Sequence, residues 1–115
     1  MTKKTFIKVN PERYATFRNA RDVFHGELAK SKKKRELYLR VALEEYEKDK
    51  NLPAFLMALR TIVITSGGVN AVASKTNLNR QTIYKALSLN GNPSFALVDS
   101  IINVLGMKLM VKKAS

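Results

Sequence analysis

The sequence predicts a mainly α-helical fold with a short C-terminal β-strand and an N-terminal extension. Three observations carry that expectation. Apolar residues recur at helical spacing through most of the chain beyond residue 35. Proline, asparagine and paired glycine interrupt these stretches at intervals suited to short helices. A single segment near the end, Met107–Lys112, alternates apolar and polar residues with the period of a strand.

Taken in order, residues 1–33 form the extension and residues 34–115 the main domain. In the extension, Phe6-Ile7-Lys8-Val9 reads as a short strand. Pro11 opens a helix over roughly 11–28, with Tyr14, Phe17, Arg21 and Phe24 at helical spacing. The basic run from Lys30 to Arg35 reads as a solvated linker. A long amphipathic helix follows over 35–50, with Leu37, Val41, Ala42 and Tyr46 on one face. Asn51-Leu52-Pro53 breaks it, and Pro53 suits the first turn of a new helix, where its missing N–H is not needed. Phe55, Leu56, Leu59, Ile62 and Val63 make that helix strongly apolar, and Gly67-Gly68 ends it.

The sharpest pattern begins at Val69. Residues 69–76 form one short helix, and Asn77 stands where a left-handed residue ends it. Asn79 is a natural N-cap for a second helix, Arg80–Ser88. Two helices joined this tightly need a small residue where they cross, and Ala73 supplies it. Val72, Leu78, Ile83, Ala86 and Leu87 are the inward apolar residues. This is a helix-turn-helix pattern. Arg80, Gln81, Tyr84 and Lys85 then project outward as base-reading candidates, since Arg pairs with guanine O6/N7 and Gln with adenine N6/N7. Lys75, Asn79, Thr82 and Ser88 suit phosphate contacts, which position a protein without specifying sequence. Beyond a turn at residues 89–91, Asn92 caps and Pro93 starts a last helix, with Phe95, Leu97, Val98, Ile101, Ile102, Val104 and Leu105 as core, and Gly106 ends it. The closing strand needs a partner, either Phe6–Val9 or its own copy across a two-fold axis.

Charge narrows the function. The chain has 115 residues and a net charge of +12, from 21 Lys and Arg against 9 Asp and Glu. Half of the excess lies in residues 51–115, where Asp99 is the sole acid. An acid-poor surface can lie against phosphate without local repulsion. With no cysteine and one histidine, Cys-based zinc sites, thiolate catalysis and multi-His metal sites are excluded. Gly67-Gly68 lacks the Gly-Lys-Ser/Thr continuation of a phosphate loop. Glu44 and Glu45 point to different helix faces and make no catalytic dyad. The expectation is a cytoplasmic non-enzyme with no cofactor, no metal and no membrane contact.

Tyr84-Lys85-Ala86-Leu87-Ser88, then Gly91-Asn92-Pro93, then a helix ending Val104-Leu105-Gly106 and an alternating segment, resembles the addiction-module antidote proteins. These are HigA-type antitoxins with a lambda-repressor-like (Cro-type) helix-turn-helix. Ala42-Leu43-Glu44-Glu45, Leu59-Arg60 and Gly67-Gly68-Val69 also fall where that family's pattern has them, so the resemblance covers about residues 35–112. It implies a homodimer that binds double-stranded operator DNA, represses its own operon and neutralises a co-encoded toxin of the RelE/HigB type. Glu44, Glu45, Glu47 and Asp49 form an acidic patch suited to a basic toxin. The extension is then an arm that contacts toxin or DNA. The alternatives are a stand-alone phage- or plasmid-type repressor and a module that only sequesters a toxin. An RNA binder is less well supported, because the chain lacks the aromatic pairs of common RNA-binding sheets.

Overall fold

The computed structural model describes residues 23–114. Residues 23–30 are helical (α1), followed by α2 (Lys32–Asp49), α3 (Leu52–Thr65), α4 (Val69–Thr76), α5 (Arg80–Ala86) and α6 (Phe95–Val104). The expected strand at Phe6–Val9 and the expected helix as far as residue 22 lie outside the described residues.

The most apolar helix, α3, is the centre of the fold. It buries Phe55, Leu56, Leu59, Ile62 and Val63, and packs on α2 along one side and α4 at its end. Burying side chains of this size stabilises by roughly 1.5–3 kcal/mol each, which outweighs the modest helix propensity of the β-branched residues among them. Thr65, also buried, is accommodated because its hydroxyl donates to the Thr61 carbonyl at 2.8 Å. Asn51 caps the helix, its Oδ1 accepting from the Ala54 N–H, and Pro53 sits in the first turn as expected. Gly67 and Gly68 adopt φ of 110° and 93°, which only glycine tolerates readily, and the chain leaves α3 at 92° to enter α4.

Helix α2 differs from the sequence expectation in its start and in its buried face. Ser31 is its N-cap, with Oγ accepting from the Lys34 N–H at 3.1 Å. Lys32–Arg35 is therefore the first helical turn and not a linker: a capping serine before straight-chain residues outweighs the mutual repulsion of four cations. The buried residue is Leu39, flanked by Tyr38, Ala42, Leu43 and Tyr46, whereas Leu37 and Val41 are 52% and 45% exposed. Two faces of this helix carry apolar residues, and packing on α3 selects the one with Leu39.

Helix α6 begins at Phe95 and is capped by Ser94, whose Oγ accepts from the Leu97 N–H. Asn92 lies too far upstream to serve. Phe95, at the first helical position, is 73% exposed and outside the core, while Ile101 and Ile102 are fully buried. The C-terminal strand is absent: residues 107–114 have no regular secondary structure, and no strand occurs among the described residues. The alternation has a different cause. Met107 and Leu109 pack on the core while Lys108 and Met110 face outward, so residues 107–110 show a strand's period without the partner a ladder requires, and the exposed Val111 does not continue it.

Residues 23–30 fold back on α2. Leu28 is buried, and the Phe24 ring meets Tyr38 edge-on at 5.4 Å. The Arg35 guanidinium donates to the Leu28 carbonyl at 2.7 Å and to the Ala29 carbonyl at 3.1 Å, satisfying groups that the end of a helix leaves unpaired. Among the described residues no single helix is long and apolar enough to cross a membrane.

Candidate nucleic-acid interface

The connection between α4 and α5 is three residues long, and each residue has a defined task. Asn77 adopts φ of 62°, the left-handed conformation that ends α4. Leu78 turns inward, half-buried, and its N–H donates to Thr76 Oγ1. Thr76 in turn donates to the Val72 carbonyl at 2.9 Å. Asn79 caps α5, its Oδ1 accepting from the Thr82 N–H at 2.7 Å. Ile83, Ala86 and Leu87 then bury one side of α5 against the core, beside Val72 and Ala73. The inward set expected from the sequence is thus seated, with Ala73 and Leu78 half-buried.

With Ile83 and Ala86 inward, helical geometry puts Arg80, Gln81, Tyr84 and Lys85 together on the opposite side. All four are exposed, and Tyr84 is 51% accessible although its ring is large enough to have joined the core. Across the turn, Arg80 Nη1 donates to Asn70 Oδ1 at 3.2 Å. That contact makes Asn70, on α4, a member of the same surface, and nothing in the local pattern flagged it because it joins residues ten positions apart. Asn79 is exposed, with its oxygen engaged in the cap and its amide nitrogen free of any bond among the described residues. Thr82 is half-buried at the edge of the face. Ser88 lies past the end of α5, which stops at Ala86, and its hydroxyl donates to the Lys85 carbonyl at 2.8 Å.

Lys75 stands apart from this group. It lines a cleft of about 210 Å³ with Lys32 and Arg35 of α2, and no residue of α5 reaches that cleft.

The electrostatics of the two sides of the molecule differ. The ion pairs among the described residues are Lys34–Glu27, Lys48–Glu45 and Lys50–Glu47, all in or next to α2. The Lys34 ammonium, hydrogen-bonded to Glu27, holds that carboxyl below its usual range. No acid occurs in α4, the turn or α5, so the positive charge of Lys75, Arg80 and Lys85 is uncompensated there. No group of three His, Cys, Asp or Glu among the described residues is placed to hold a metal ion.

These features define a small helical protein that presents a short basic helix behind a tight, asparagine-ended turn. The chain belongs to the family described as probable addiction module antidote protein, which matches residues 24–113. It is also 32% identical over 79 residues to an uncharacterized protein of Haemophilus influenzae, a match spanning 69% of this chain and 76% of the relative. No solved structure matches. The family description implies an antitoxin of a toxin–antitoxin module, and hence a toxin partner of some kind.

Proposed function

We propose that this chain is a non-enzymatic, cytoplasmic antitoxin that binds operator DNA as a homodimer and represses its own operon. In this reading α4 and α5 are a lambda-repressor-like helix-turn-helix of the HigA type, and α5 enters the major groove. The observation that carries it is the outer face of α5. Four long polar side chains stand together on a helix whose other side is locked into the core, in a stretch of chain, residues 69–88, that contains no acid. Rigid support matters because a base contact is specific only when the side chain's origin is fixed. Arg80 and Gln81 read base edges, Tyr84 and Lys85 extend that contact, and Asn79, Thr82 and Ser88 border the adjacent phosphates. Two such helices one duplex turn apart, roughly 34 Å, would engage a two-fold symmetric operator.

Titration of the chain's own upstream DNA against a scrambled duplex, at several salt concentrations, tests the reading. Tighter binding to the upstream duplex, with two chains per site, is expected. Equal affinity for both would sink specific recognition.

The toxin-binding role has its own support in α2. A groove of about 240 Å³ beside Tyr38, Tyr46 and Phe55 is edged by Asp49 and by Glu45, whose exposed pair with Lys48 a basic partner would replace. An apolar floor with an acidic rim suits a basic toxin such as one of the RelE/HigB type. Co-expression with the adjacent small gene product tests it: co-purification and rescue of growth are expected, and the absence of both would favour a stand-alone repressor.

A further inference from the structure

The cleft where α2, α4 and the end of α6 meet contains no residue of the α5 face. We infer that this cleft, lined by Lys32, Arg35, Lys75 and Ser66, is a binding site for a phosphoryl group.

The charge arrangement is the first ground. Three cationic side chains line the cleft and, among the described residues, no acid does. Two of them belong to the first turn of α2, where Lys32, Lys33, Lys34 and Arg35 all stand at the positive end of the helix dipole. Cations are disfavoured there. Lys34 is relieved by Glu27, and Arg35 by the Leu28 and Ala29 carbonyls. Lys32 has no carboxylate partner among the described residues. An anion in the cleft relieves the helix end and the lysines together.

The fit of the donors is the second ground. Among the described residues Arg35 is tethered through Nη1 alone, which fixes the guanidinium and leaves its other nitrogens without a partner there. Lys32 lies against Gly106: a Cβ there would sit 2.8 Å from the ammonium, so the ammonium occupies space that any side chain at 106 would take. Ser66 Oγ is sealed from solvent and has no hydrogen-bond partner among the described residues. An orphaned buried hydroxyl is destabilising, and rotation toward a phosphate oxygen would satisfy it. A tetrahedral anion with several acceptor oxygens matches a guanidinium, two ammonium groups and a hydroxyl.

The phosphoryl group can come from the DNA backbone or from free phosphate, and one set of variants separates the two. Inorganic phosphate is titrated into the full chain against chloride at matched ionic strength, following backbone amides by NMR. A free-phosphate site gives saturable shifts confined to Ser66, Ala71, Lys75 and Gly106. The Lys32→Met/Lys75→Met double variant, which keeps the apolar stems, weakens them at least tenfold, and Arg80→Ala leaves them unchanged. A backbone-phosphate site instead lowers the salt slope of duplex binding by about 2 in the double variant. If the chain binds no duplex DNA, the proposed function fails and the phosphate titration alone decides this inference. The inference is overturned if phosphate shifts are no stronger than those with chloride and the double variant keeps any slope the native chain shows.

Discussion

Helices α2 and α5 are both basic, and they handle charge in opposite ways. Along α2, acids are interspersed with cations, and two of its lysines, Lys34 and Lys48, together with Lys50, which caps it, are held in exposed ion pairs with Glu27, Glu45 and Glu47. Such pairs contribute little to stability, but they neutralise the surface locally. Helix α5 has no acid and, among the described residues, no ion-paired cation, and its Arg80 donates to Asn70, which is uncharged. The difference shows that net charge alone does not locate a polyanion site. In the proposed reading, such a site lies where charge is left uncompensated on a rigid element. Lys75, Lys32 and Arg35 meet the same condition in the cleft, although two of them belong to the otherwise neutralised helix.

The support beneath α5 is tested first, because its loss has the largest effect. Ile83 is fully buried, so Ile83→Ala should destabilise the fold by about 2–5 kcal/mol, read as a lower midpoint in chemical unfolding. Loss of DNA binding with unchanged stability would instead make Ile83 a surface reader and break the comparison. Next comes the face itself. Arg80→Ala should cost about 1–3 kcal/mol at one preferred base pair and leave stability nearly unchanged, measured by anisotropy on single-base operator variants. A uniform loss across sequences would reassign Arg80 to the phosphates.

The charge contrast is then sharpened with a matched pair. Lys85→Met should lower the log–log salt slope of duplex binding by about 1, whereas Lys48→Met should leave it unchanged. Equal slopes in both variants would mean that the two helices are electrostatically equivalent. The smallest effect belongs to Glu27. Its carboxyl is held low in the folded chain by the Lys34 hydrogen bond and charge. The pair therefore contributes above the ordinary glutamate pKa and is lost as pH falls through the depressed folded value. In an NMR titration Lys34→Met should raise the Glu27 midpoint without measurably changing the thermal transition. An unmoved midpoint would show that Lys34 does not hold the carboxyl.

The legible part of the fold was the part written in local rules. Asn77, Asn79, Pro53 and Gly67-Gly68 each act where the sequence puts them, because positive φ, capping oxygens and a missing N–H are properties of one residue and its immediate neighbours. The inward set Val72, Ile83, Ala86 and Leu87 was legible for a similar reason: two short helices with a fixed turn leave few ways to bury apolar residues. The errors fall where local signals were ambiguous. Ser31 and Asn92 are both good caps, yet only Ser94 is close enough to the Leu97 N–H to start α6, and Ser31 drew the basic run into α2. In the tail, Met107–Lys112 carried the right period for a strand, but a period describes which side chains face inward and says nothing about a hydrogen-bonded partner.

The sequence by itself determined the helical class, the turn chemistry, the uneven charge and the motif by which the family is recognised. Those depend on residue identity and short spacings. Tertiary structure alone decided that Leu39 and not Leu37 faces α3, that Asn70 reaches Arg80, and that Lys75 joins Lys32 and Arg35 around Ser66. Each of these joins residues on different elements, and their proximity depends on how α2, α4 and α6 pack around α3. Packing is set by the shape of the whole core, which no short stretch of chain encodes.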